Sequence, residues 1–416
     1  MDLATVLLWL GILTCVYMAC NIGANDVANA MGTSVGAKSL TFRQAVLVAA
    51  VAELAGAVLV GGHVSDTVRK GMVDPNLFAD MPMHLVYGMI SALIAASIWL
   101  HIASSLGWPV STTHSIVGAV VGFGVVAGGA DAVNWGKVGF VVMSWVVSPL
   151  MGGLVAYGVF RFITVYILDK HNPVAEAKKW VPLMVFVVFV ILANAMVYKG
   201  LKNLHLDLDF QKSIQIALIV GTVSYVIAKI LVKKVKAVAP DDINQQFAST
   251  EYIFKFLQVI TAFYVAFAHG SNDVANAVGP LAAVVSILKN GSVQMQVGMP
   301  LWILLLGGTC IVFGLLIWGT RVMETVGKKI TEITPSRGFS AEFAAATVVL
   351  ICSKMGLPIS TTHTLVGSVI GVGLARGLAS LNLAIIKKIV VSWVATVPFT
   401  AVLAMLFYKA FTYFLP

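Results

Sequence analysis

Gly23-Ala24-Asn25-Asp26-Val27-Ala28-Asn29-Ala30 returns later in the chain as Gly270-Ser271-Asn272-Asp273-Val274-Ala275-Asn276-Ala277, with a single position changed. Both copies are embedded in strongly apolar sequence. An Asp at membrane depth is expensive and marks an ion or substrate pathway. Two Asp in the same polar octapeptide imply one site assembled from two halves of the protein, which is how a carrier is built.

A second pair of motifs secures the duplication. Pro109-Val110-Ser111-Thr112-Thr113-His114-Ser115-Ile116-Val117-Gly118 reappears as Pro358-Ile359-Ser360-Thr361-Thr362-His363-Thr364-Leu365-Val366-Gly367. Asn25 to Asn272 is a shift of 247 residues, Ser111 to Ser360 one of 249, and Trp145 to Trp393 one of 248. Register kept over more than a hundred residues is the mark of a duplicated domain.

Composition sets the surroundings. The chain is 59% hydrophobic and 11% charged, with a mean hydropathy of +0.93, where a soluble domain carries about 25% charged residues. This is a polytopic membrane protein whose medium is the lipid bilayer. The first apolar run, Leu3 to Cys20, lacks a basic start and a small-residue cleavage site, and reads as a retained helix. Cys15, Cys20, Cys310 and Cys352 lie in apolar runs without metal-ligand spacing and read as free, packed thiols. The net charge of +9 arises from Lys and Arg in loops between spans, as membrane topology requires, and calls for no nucleic acid partner.

A span needs about 20 apolar residues. Candidates lie at 3–21, 43–62, 84–103, 114–130 and 138–160, then at 181–198 and 213–232, then at 251–268, 299–318, 340–355, 362–377 and 386–413. Basic residues gather after the first five spans (Arg161, Lys170, Lys178, Lys179) and after the middle pair (Lys229, Lys233, Lys234, Lys236). Both loops are therefore expected in the cytoplasm. Lys199, Lys202 and Lys212 oppose this, offset in part by Asp207 and Asp209. Five crossings plus two put the second repeat in the membrane upside down relative to the first. The expected fold is all-α and polytopic: two inverted-topology repeats of about five segments each, joined by two middle spans, with discontinuous helices or hairpins at the Pro-x-Ser-Thr-Thr-His motifs. In residues this gives 1–160 for the first repeat, 161–250 for the middle spans and linker, and 251–416 for the second repeat.

The motifs carry complementary chemistry. Pro109 and Pro358 break helix, and a Ser or Thr after such a break caps the next one. A helix N-terminus offers free N–H groups and a positive dipole end, an anion site to which Ser111, Thr112, Thr113, Ser360, Thr361 and Thr362 add hydroxyl donors. The alternative is that these residues only cap helices. Asn25 and Asn29 are four apart and share a helix face with Asp26 beside them; Asn272, Asp273 and Asn276 repeat the pattern. Carboxylate and amide oxygens suit small hard cations. Two bare Asp beside a bound dianion would be intolerable in a low-dielectric site, so electrostatics calls for cations bound alongside. The candidate cation ligands are Asp26, Asn29, Asp273, Asn276 and Glu53.

Glu53 sits within an apolar run, with Ile311 opposite it when the halves are aligned through Gly56 and Gly314. It reads as an ion or gating residue, or else as a paired packing residue. Glu342, near the start of its span, reads as interfacial or ion-related, and Lys354, just before the second proline break, stays open between the interface and another place. His114 and His363 read as proton-sensitive, or as helix-start residues bonded to backbone.

Gly-Ala-Asn-Asp-Val-Ala-Asn-Ala, its repeat and the paired Pro-x-Ser-Thr-Thr-His motifs resemble the inorganic phosphate transporter (PiT) family, over about residues 10–160 and 250–400. The resemblance implies a symporter of inorganic phosphate driven by sodium or protons, with inverted repeats, homodimers and no cofactor, in a cell membrane such as the bacterial inner membrane. Family members commonly carry a large cytoplasmic loop between the halves; here only about 20 residues, Val232 to Glu251, take its place. Some members move sulfate. Gly36 to Met72, with Glu53 and Thr67-Val68-Arg69-Lys70-Gly71-Met72, resembles the sodium-coupled branch. Other classes fit less well. A hydrolase using Ser111 and His114 has no reason to duplicate its centre, a nucleotide-binding Gly-x-x-x-x-Gly-Lys-Ser/Thr is missing from the sequence, and an anion channel would need no ion gradient.

Overall fold

The structure is a computed structural model that describes residues 2–61, 72–197, 209–236, 238–293, 299–354 and 359–415. Thr67 to Gly71, Lys199, Lys202, Asp207 and the second break (Gly356, Leu357, Pro358) lie outside the described residues.

The described residues form helices and one isolated bridge between Val73 and Val133. Helix α1 (Leu3–Ile22) passes through a π-helical turn (Gly23–Val27) into α2 (Ala28–Gly36). Then come α3 (Phe42–Leu59), α4 (Pro82–Ser105), α5 (Thr112–Gly128) and α6 (Trp135–Ile163). The middle pair is α7 (Pro173–Ala195) and α8 (Phe210–Lys233). The second half holds α9 (Ile243–Asn290), α10 (Leu301–Trp318), α11 (Thr320–Glu324), α12 (Pro335–Lys354), α13 (Thr361–Arg376) and α14 (Leu383–Phe414). In lipid every backbone group must be satisfied within its own segment, and helices do this.

Among the described residues, eight helices are long and apolar enough to cross a membrane. Large apolar side chains such as Leu154 and Leu406 stand exposed on α6 and α14, a surface suited to lipid and not to water. Of the twelve spans expected, those at 114–130, 181–198, 340–355 and 362–377 are not among these eight, and two others run longer than expected. The first continues past residue 21 without a break to Gly36, and the span expected at 251–268 is part of a 48-residue helix. The helices run on through the polar motifs because neighbouring segments satisfy those side chains, so apolarity does not mark the helix ends. The domain limits also cut helices: α6 continues beyond residue 160 and α9 begins before 251.

Helix starts follow local chemistry. Thr41 and Gln44 close a reciprocal capping box at α3. Ser111 and Ser360 cap α5 and α13 identically, each hydroxyl accepting from the backbone N–H of the following His at 3.1 Å.

The halves interleave. α6 packs along α13 and α14 along α5, while α3 packs along α9 and α1 along α10. Under the sequence shift α5 corresponds to α13, α6 to α14, α1 to α9 and α3 to α10, so these contacts form reciprocal pairs. Glycines set the approach. A Cβ on Gly23 would strike the Ile311 carbonyl and one on Gly314 the Cys20 carbonyl; on the other side Gly270 meets the Glu53 carbonyl and Gly56 the Phe267 carbonyl. These close crossings are the small-residue packing of membrane helices. Gly314→Val should therefore destabilise by roughly 3 kcal/mol or more, whereas Gly158→Ala, with open space around it, should be neutral. Thermal melting in detergent checks both.

Candidate functional site

Both octapeptides and both Ser-Thr-Thr segments meet at the centre of the interleaved halves. Asp26 accepts from Thr112 at 2.5 Å in its own half and from Thr362 of the other half at 2.8 Å. Asp273 accepts from Thr361 at 2.5 Å and from the Asn272 amide at 2.5 Å. Asn276 donates to the hydroxyls of Thr112 and Thr113 at 3.2 and 3.1 Å. Except for Thr361, which is half-buried, all these side chains are buried. The start of α13 therefore delivers hydroxyls to carboxylates of both repeats, whereas the start of α5 delivers Thr112 to Asp26 and accepts from Asn276 of the other repeat.

Asn25 behaves differently. Its amide nitrogen donates to Ser104 and to the Trp108 carbonyl, both at 3.0 Å, and its oxygen accepts from the Val110 N–H at 3.0 Å. Those groups belong to the break between α4 and α5, where Pro109 has no N–H to give. Asn25 thus fastens the broken segment. Asn29 instead lines a small cavity with Asp26, His269 and Thr361. That cavity holds about 10 Å³, near the minimum for one water-sized guest. The two asparagines were expected on one face, but the π turn Gly23–Val27 lies in this stretch and they reach different neighbours. Such turns are frequent at functional sites.

The sequence reading missed His269. Its Nδ1 lies 2.9 Å from Glu53, and its Nε2 lies 3.0 Å from Asp273 and 3.7 Å from Asp26. Three carboxylates thus surround one imidazole in the core. Asp26, Asp273 and His269 each offer a ligand atom, and these atoms lie within 4.8 Å of one another, a spacing that one cation could bridge. The signal was legible: His269 immediately precedes the second octapeptide, where the first has Ile22. Glu53 has Ile311 as its counterpart, so a hydrogen-bonded pair that joins the two halves matches two isoleucines, Ile22 and Ile311, at the equivalent positions. Glu53 is consequently a partner of the central cluster, reached through His269. Removing one member of such a buried pair leaves the other uncompensated. A double-mutant cycle of Glu53→Gln and His269→Gln, read by thermal melting, should give a coupling of about 0.5–3 kcal/mol.

Glu342 faces the interior of the helix cluster. It is fully buried and accepts from Thr33 (2.7 Å), Ser34 (2.6 Å), Gln258 (3.1 Å) and Thr261 (2.6 Å), groups contributed by both halves. Four donors compensate its burial, and its depth follows from α12 lying inside the helix cluster. The paired histidines sit behind the caps. The His114 and His363 rings lie 4.7 Å apart, His363 stacks on Trp393 at 3.7 Å, and Trp145 lies 5.5 Å from His114. Trp393 in turn donates to the Pro109 carbonyl at 2.9 Å. This aromatic box fixes the two helix starts against each other. The four cysteines are free, with Cys15 and Cys20 buried.

Comparison with known proteins identifies the family. The model of the phosphate transporter family matches residues 22–404. A Pyrococcus abyssi protein provisionally named a phosphate permease is 47% identical over 393 residues, covering 94% of this chain and 95% of that protein. The chloroplastic inorganic phosphate transporter 2-1 of Arabidopsis thaliana is 46% identical over 421 residues, covering 95% of this chain and 70% of the plant protein. A solved structure described as the sodium-dependent phosphate transporter superposes with a TM-score of 0.91 at 42% identity, covering 99% of this chain and 100% of that one. The chain, a multi-pass membrane protein, belongs to the phosphate transporter family.

Proposed function

We propose that this protein is a secondary active symporter of inorganic phosphate driven by a sodium gradient. The observation that carries the reading is the crossed pairing of Thr hydroxyls with Asp carboxylates: Thr112 and Thr362 on Asp26, Thr361 on Asp273. A hydroxyl has one proton to donate. While it serves Asp it cannot serve an oxyanion. Sodium ions held by Asp26, Asn29, Asp273 and Asn276 supply the carboxylates with positive charge and release the Thr112, Thr361 and Thr362 hydroxyls to phosphate, with Thr113, which accepts from Asn276, as a further donor. Phosphate without cations would bring like charges together in a dry site, and cations without phosphate would leave the released donors unpaired. Coupling thus follows from exchange of hydrogen-bond partners. Ser111 and Ser360 hold the helix starts, Asn25 positions the break, Asn272 orients Asp273, and Glu53 acts on the cluster through His269.

Sodium is supported by the described function of the solved relative and by a ligand set of hard oxygens. The reciprocal helix contacts support inverted repeats within 1–160 and 251–416, with 161–250 as connector. Pairing into homodimers and residence in the cell membrane, for a bacterial protein the inner membrane, complete the proposal on the strength of the family resemblance. The test is uptake of radiolabelled phosphate into proteoliposomes with sodium and proton gradients imposed separately. Accumulation should require the sodium gradient. Uptake driven by the proton gradient alone, or downhill flux indifferent to both, would overturn sodium symport.

A further inference from the structure

A second polar cavity lies against the central site, and no step so far uses it. It measures about 370 Å³ and is lined by Asn21, His101, Ser104, Ser105, Trp318 and Arg321 among others, none of them acidic. Its inner wall is Ser104, whose hydroxyl accepts from the Asn25 amide at 3.0 Å. Its rim is Arg321, an exposed residue at the start of α11 whose Nη1 donates to the Ser105 carbonyl at 2.5 Å. That contact uses one of five guanidinium donors, leaving others over for an oxyanion. The acid of α11, Glu324, pairs with Lys329 at 3.6 Å, away from the residues that line the cavity. His101 is held between the rings of Tyr17 and Trp318, at 6.0 and 5.6 Å.

Asn21 supplies the discriminating feature. It is 1% exposed, and its amide nitrogen donates to the Tyr17 carbonyl at 2.8 Å. That bond fixes the amide orientation, so the other atom is the oxygen. The oxygen is buried without a hydrogen-bond partner among the described residues. A buried unpaired acceptor is costly and wants an incoming O–H.

We infer that this cavity is a vestibular anion site that passes hydrogen phosphate to the central site and discriminates against sulfate. Arg321 attracts any tetrahedral oxyanion. Asn21 accepts the O–H that inorganic phosphate keeps at neutral pH and that sulfate lacks. A sulfate in the same place would set an oxygen against the Asn21 oxygen. A site built to pair with a ligand hydroxyl rejects the analogue without it. The inference rests on the phosphate symport proposed above and adds where selection takes place.

The test uses the full-length protein in proteoliposomes, with radiolabelled phosphate as substrate and sulfate as competitor, beside equilibrium phosphate binding in detergent. Arg321→Gln should lower the initial rate at low phosphate about tenfold, as expected for one charged hydrogen bond, while equilibrium binding stays within about twofold. Arg321→Lys should recover part of that rate. Asn21→Leu should lower the ratio of half-inhibiting sulfate to half-saturating phosphate about tenfold. Asn21→Ala serves if the leucine variant does not fold. Unchanged rates and ratios in these variants overturn the vestibule, and so does equilibrium binding that falls in step with rate. A parent protein that transports no phosphate overturns the symport reading instead; a transporting parent with unaffected variants overturns the vestibule alone.

Discussion

Asp26→Asn and Asp273→Asn are each expected to reduce sodium-driven phosphate uptake to background while the protein remains folded. The substitution keeps shape and an oxygen acceptor but removes the charge. At 4 Å and an effective dielectric of about 20, one unit charge is worth about 4 kcal/mol to a bound cation, approaching a thousandfold in affinity. The fold should tolerate the change because three carboxylates crowd His269 in a dry core, and one fewer relieves mutual repulsion. Asp26 receives hydroxyls from both halves, whereas Asp273 is served from its own half by Thr361 and Asn272. Both losses should abolish coupling, since each carboxylate is proposed to neutralise one share of the cation charge. Uptake at the parent rate in Asp26→Asn, with an unchanged sodium dependence, would sink the assignment.

Thr112→Val and Thr361→Val are expected to weaken phosphate binding by roughly ten- to a hundredfold each. Valine matches threonine in shape and lacks only the hydroxyl, and a lost hydrogen bond to a charged group costs about 1.5–3 kcal/mol. Ser111→Ala provides the contrast. Its hydroxyl caps α5 through the His114 N–H, so its loss should appear as about 1 kcal/mol of stability, with a much smaller change in affinity. Equilibrium binding and thermal melting on the same purified variants separate the two roles. If Thr112→Val and Thr361→Val bind phosphate like the parent, the threonines belong with the serines as caps and the anion is held elsewhere.

The amino-acid sequence alone determined the membrane character, the duplication and the identity of the two polar motifs. Those properties are written in composition and in repeated spacing, which depend on no distant contact. It also placed the breaks before Ser111 and Ser360, because proline and hydroxyl caps act within a few residues. The tertiary structure decided which polar groups meet. His269 looked like one more residue before a glycine until the α3/α9 crossing brought Glu53 to its Nδ1. Glu342 showed no partner in the sequence because hydropathy averages over a window and cannot register four donors arriving from two other helices, α2 and α9. Asn25 and Asn272 are equivalent in sequence, yet Asn25 fastens the break at Pro109 while Asn272 bonds to Asp273. The physical reason is common to all three. Burial of a polar group is tolerated only when a partner satisfies it, and those partners are set by helix packing: Glu53 of the other half for His269, Thr33 and Ser34 of the other half with Gln258 and Thr261 of its own for Glu342, and the break near Pro109 for Asn25.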